Sequence, residues 1–124
     1  MIKSIEYENF KEDIISRNTH QKIVFLNEIK EIIIKAFKGP RSSPVYDFKD
    51  DFFNDLFEEM EHVIEILEIN ALKMNKYIRV IPTIPTALYI ACRNLLCVRN
   101  KKFIGGIFEI GEGSIDNYLK KYWK

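Results

Sequence analysis

Residues 50–75 read DDFFNDLFEEMEHVIEILEINALKMN, and their apolar members Phe53, Leu56, Phe57, Met60, Val63, Ile64, Leu67 and Met74 recur at three- and four-residue steps. That period puts them on one side of an α-helix, so the stretch predicts a long amphipathic helix, with a break near Asn70 as an option. The acids fall on the other side. Between Asp47 and Glu68 there are nine (Asp47, Asp50, Asp51, Asp55, Glu58, Glu59, Glu61, Glu65 and Glu68) against one base, Lys49, a formal −8 in a chain whose total is +1. Asp51, Asp55, Glu58, His62 and Glu65 form a stripe flanked by Glu61 and Glu68. Like charges one helical turn apart repel by about 0.2–0.5 kcal/mol per pair, so this face trades helix stability for negative potential.

Toward the amino end, Tyr7, Phe10 and Ile14 predict a helix over about 5–16, interrupted at Arg17-Asn18-Thr19. Asn18 followed by Gln21 resembles a capping box, after which a second helix carries Phe25, Ile29, Ile32 and Ala36 with Leu26, Ile33 and Phe37 beside them. Most of the circumference of this Ile23–Phe37 segment is apolar, so it is expected to lie deep. Gly39 suits the left-handed residue that closes a helix and Pro40 cannot continue one, so the break in the chain falls at Gly39–Pro44.

Toward the carboxyl end, Tyr77–Ile81 alternates, is rich in β-formers and stops at Pro82, which predicts a short edge strand. Residues 85–98, PTALYIACRNLLCV, suit a buried helix with proline in its first turn, a strand being the alternative. For Phe103–Ile110, FIGGIFEI, alternation favours a strand, because two adjacent glycines each cost a helix about 1 kcal/mol. Ser114 is a good cap for a last helix with Ile115, Tyr118, Leu119 and Tyr122 on one side and Lys120, Lys121 and Lys124 near its end. The expected fold is a single α+β domain over 1–124, mainly α-helical, with a small β element in the carboxyl-terminal half; all-α is the alternative.

Apolar residues at 47% and charged residues at 30% fit a soluble globular protein, and a net charge of +1 argues against a bulk nucleic-acid coat. Catalytic chemistry has little to work with, since His20 and His62 are the histidines and no nucleophile elbow, Walker loop or dinucleotide fingerprint is present. Cys92 and Cys97 sit in an apolar stretch and read as packing, a reactive pair being the alternative. Glu59 and His62 match one Glu-x-x-His element of a di-iron bundle, but no second copy exists. Gly111-Glu112-Gly113-Ser114 reads as a turn before a helix rather than an anion site, because Glu112 opposes an anion. The expectation is a non-enzymatic protein without cofactor or metal, with no export signal or membrane span, in the cytoplasm.

In size, acidic face and Ile/Lys/Asn-rich composition the chain resembles the small immunity proteins that bacteria encode beside polymorphic or contact-dependent toxins. That resemblance implies a toxin inhibitor acting by protein–protein interaction with a basic partner, such as a nuclease toxin; no membrane partner is expected, and the acidic helix disfavours a nucleic-acid one. Asp51, Asp55, Glu58, Glu61, His62, Glu65 and Glu68 are then the expected partner-binding residues. A more local likeness runs through VIEIL from Val63, PTALYIACRNLL at Pro85–Leu96, Lys102, Ile104, Ile110 and SIDNYLKKY at Ser114–Tyr122, which is similar to a cyclin-box repeat of the general transcription factor IIB family. There the last two helices form a helix-turn-helix on promoter DNA, which implies that Ser114, Asn117 and Lys120 lie on a recognition helix. Asp116, the glycines Gly105, Gly106 and Gly113, and the acidic helix depart from that pattern, so the immunity resemblance ranks first on sequence.

Overall fold

A computed structural model describes residues 2–39 and 50–123; burial and side-chain contacts concern 18–39 and 51–123. The order is α1 (Ile2–Lys38), α2 (Asp50–Lys73), α3 (Val80–Asn94), α4 (Lys101–Ile107) and α5 (Glu112–Tyr122). Among the described residues there is no strand, so the mainly helical expectation holds and both proposed β elements are corrected.

The first helix runs through 17–19 without a break. Asn and Thr weaken a helix interior by only a few tenths of a kcal/mol, and neither glycine nor proline is present there to force a stop, so the capping signal at Asn18 is overridden. Leu26, Ile33 and Phe37 are fully buried while Ile32 is 55% exposed, which makes the buried stripe narrower than the composition suggests. Gly39, at φ +68°, closes the helix as expected and donates its N–H to the Lys35 carbonyl. Pro40 and the rest of the expected loop lie outside the described residues.

The second helix forms as the period predicts, unbroken at Asn70, with Phe53, Leu56, Phe57, Met60, Val63, Ile64, Leu67 and Ala71 inside. Each of these side chains apart from Ala71 contributes about 1.5–3 kcal/mol by leaving water. Asn70 instead reaches across to donate to the Tyr122 carbonyl at 2.7 Å, tying α2 to the end of α5. Met74 lies beyond the helix and is exposed.

Tyr77–Ile81 forms no strand among the described residues: Arg79 is extended and caps α3, Val80 already belongs to that helix, and Ile78 docks into the core. Ile81 and Pro82, joined by a cis peptide bond, are non-helical, and the regular turns of α3 follow them. Pro85 falls early enough that its missing N–H costs no ladder bond. Thr83 to Leu88 and Ile90 to Cys92 are all buried, as expected of a helix surrounded on every side, and α3 packs against each of the other four helices. The helix stops at Asn94, short of the expected Val98.

Phe103–Ile107 is helical, which corrects the expected strand. Asn100 caps α4 by accepting the Phe103 N–H at 2.6 Å, and Ile104 is buried. The glycine cost is accepted because the chain folds back on itself here. A Cβ on Gly105 would lie 2.6 Å from the Ile110 carbonyl oxygen, whereas Gly106 faces open space.

Candidate functional site

Two surfaces carry the chemistry anticipated above. The first is the outer side of α2, where Asp51, Asp55, Glu58, His62 and Glu65 are exposed and Glu61 is half-buried. None of these carboxylates forms an ion pair with a described residue. Glu59 is half-buried and accepts from Asn94 Nδ2 at 3.1 Å. With Asp55, Glu58, His62 and Leu95 it lines an open depression of about 360 Å³. Among the described residues no group of three potential metal ligands is assembled.

Glu68 does not belong to this face. It is 3% exposed and forms an ion pair with Lys22 of α1, itself 3% exposed. Burial pushes its carboxyl above the ordinary range, and the hydrogen bond and charge of Lys22 oppose that rise. The sequence holds the signal for this placement: Glu68 lies four residues after Ile64 and three before Ala71, in register with the buried stripe.

The second surface is built by α4 and α5. The four residues Phe108–Gly111 connect them, a turn of helix-turn-helix length ending in glycine. Glu109 takes a left-handed φ of +57°, and Ile110 N–H returns to the Gly105 carbonyl at 2.9 Å. The start of α4 is clamped to the end of α1, because the Arg99 guanidinium lies 4.5 Å from the Phe103 ring centroid and 5.3 Å from that of Phe37. Arg99 also donates to the Phe37 carbonyl at 3.4 Å.

Gly111, and not Ser114, is the N-cap of α5, so the expected helix exists but begins earlier. Ile115 and Tyr122 are buried and Tyr118 and Leu119 half-buried, as their spacing predicts. Facing away from them, Gly113, Asn117, Lys120 and Lys121 are exposed, with Ser114 half-buried at the edge. Asp116 is ion-paired with Lys101, whose ammonium is raised above its usual range chiefly by the hydrogen bond to Asp116. Beside the α5 N-terminus, Tyr89, Val98, Arg99, Asn100, Lys101 and Glu112 line an open depression of about 540 Å³. The Tyr89 ring there is flanked by Arg93 at 5.7 Å and Lys101 at 5.4 Å.

Asn117 and Lys120, which the cyclin-box likeness assigns to the last helix, lie exposed on it together with Lys121, one helical turn after Asn117. The excess of base that the acidic segment leaves to the rest of the chain is concentrated in residues 69–124, which hold ten bases against three acids, Glu109, Glu112 and Asp116. Among the described residues no helix is long and apolar enough to cross a membrane. Compared with models of known protein families, with curated proteins and with solved structures, the chain matches none.

Proposed function

We propose that the protein is a non-enzymatic DNA-binding module that docks through the α4–turn–α5 unit, with α5 as recognition helix in the major groove, as the cyclin-box likeness implies. The observation that carries this reading is one pair of helices joined by a four-residue turn, its second helix apolar inward and presenting Asn117, Lys120 and Lys121 outward. Two of the departures noted on sequence lose force. Asp116 is neutralised by Lys101, and Gly105 is what lets the turn close on α4. The ten bases after residue 68 supply the phosphate attraction, and the acids concentrated before it favour one orientation on a polyanion. Asn117 suits bidentate contact with adenine, and the two lysines suit phosphates.

Labelled duplex DNA titrated across salt concentrations tests this directly. Affinity should fall steeply with salt, and Lys120→Ala and Lys121→Ala should each lower the log–log salt slope by about 1. Binding that is absent, or indifferent to both substitutions, refutes the reading.

A second reading rests on the acidic face, whose exposed carboxylates have no ion-pair partner among the described residues. There the protein acts as an immunity-type inhibitor of a basic nuclease toxin, with Asp51, Asp55, Glu58, Glu61, His62 and Glu65 as contacts. Reversing Asp55, Glu58 and Glu65 to Lys should leave the fold intact, because exposed substitutions shift stability by roughly 0.5 kcal/mol or less. Affinity for a basic nuclease domain encoded beside the gene should drop at least about tenfold, the effect of losing about 1.4 kcal/mol of complementarity. Undiminished protection against that toxin eliminates this reading.

A further inference from the structure

The chain leaves α3 through a turn in which Leu96 takes a left-handed φ of +60°, Leu96 N–H donates to the Arg93 carbonyl at 3.2 Å, and Cys97 N–H donates to the Cys92 carbonyl at 2.8 Å. This is the pair of hydrogen bonds that defines a Schellman ending, a motif in which the side chains at the first and sixth positions frequently meet. Those two positions hold the chain's only cysteines. The 2.8 Å bond between their backbones holds the two Cα atoms within about 6.7 Å, inside the roughly 4.4–6.8 Å span that a disulfide bridges. Cys92 is fully buried, while Cys97 is partly open to solvent. Neither belongs to the surfaces described above.

We propose that Cys92 and Cys97 form a redox-responsive dithiol that a peroxide closes into an intramolecular disulfide, stapling the last turn of α3 just ahead of α4. The accessible Cys97 thiolate attacks one peroxide oxygen; the O–O bond breaks, water leaves, and Cys97 becomes a sulfenic acid. The Cys92 sulfur then displaces the sulfenic oxygen, which departs as a second water, and the S–S bond forms. Two thiols lose two electrons and two protons, and the peroxide is reduced to two waters. The ring so closed holds residues 92–97, and the next described residues are Val98, Arg99 and the Asn100 cap. Oxidation therefore fixes the segment that sets the start of α4.

Burial pushes both thiols above their usual range, that of Cys92 to about 12, where neighbouring Cys97 raises it further and Arg99 opposes the rise. Closure is accordingly slow at neutral pH, and its rate should climb about tenfold per pH unit from 7 to 9 as the thiolate fraction grows. The experiment is to treat the reduced full chain with excess hydrogen peroxide, denature it and count thiols. Two should become none, with the mass lowered by two hydrogens and the chain still monomeric on a non-reducing gel. In Cys97→Ser, buried Cys92 should keep its thiol through the same treatment. Two thiols surviving, a disulfide-linked dimer, an oxygen adduct on Cys97 beside a free Cys92, or equal oxidation of Cys92 in the Cys97→Ser protein would each overturn the proposal.

Discussion

Replacing Lys22 by Ala is expected to destabilise the protein by about 3–5 kcal/mol at neutral pH, because it leaves the Glu68 carboxylate buried between α1 and α2 without a counter-charge. The pH dependence follows from the direction in which Glu68 is displaced. Burial raises its folded-state value above the ordinary 4.5, so the folded protein holds that proton more tightly than the unfolded chain. The resulting stability is fully present below about pH 4.5 and is lost as pH rises through the folded value. Removing Lys22 deletes the two influences that restrain the rise, so the deficit of Lys22→Ala should shrink toward acid and be greatest at neutral pH. The double variant Lys22→Met/Glu68→Leu should recover most of the loss, since an apolar pair of similar volume is often as stable as a buried ion pair. Denaturant titrations at pH 4 and pH 7 decide the matter. A loss under about 1 kcal/mol that ignores pH would place the pair in water.

The second large effect separates two neighbouring glycines. Gly105→Ala should lower stability by about 1–3 kcal/mol, because its new Cβ meets the Ile110 carbonyl oxygen at 2.6 Å and that oxygen belongs to backbone that has to shift. Gly106→Ala, one position on, meets nothing within 4 Å and should raise stability by up to about 1 kcal/mol through helix propensity alone. Thermal or chemical unfolding of the two variants side by side is sufficient. Equal effects would mean that α4 and the turn do not approach as described. In the DNA-binding reading the first variant also moves α5 away from its register, so its affinity for duplex should fall while that of the second stays unchanged.

What the sequence revealed follows the strength of its periodic signals. The apolar spacing of Phe53 to Leu67 specified α2, Gly39 specified the end of α1, and the Ile115–Tyr122 spacing specified the inner side of α5. The failures share a cause. At Tyr77–Ile81 and Phe103–Ile110 local residue preference pointed to strands, but a strand needs an adjoining ladder and the surrounding helices offer none, so Ile78 and Ile104 find burial without one. The glycines of α4 argued against a helix only for as long as the turn packed on them was unknown. On the candidate surfaces, the run of acids at helical spacing pointed to the acidic stripe, yet formal charge alone did not distinguish exposed Glu65 from buried Glu68.

The central position of α3 has a consequence for dissecting the molecule. The inward residues of α5 rest on α3, and Asn70 of α2 holds the last turn of α5. An excised 99–123 peptide would lose both supports and, at this length, could not sustain helices in water unaided. In the DNA-binding reading, the carboxyl-terminal pair works only as an outgrowth of the whole bundle, and grafting it elsewhere would require carrying the hub along.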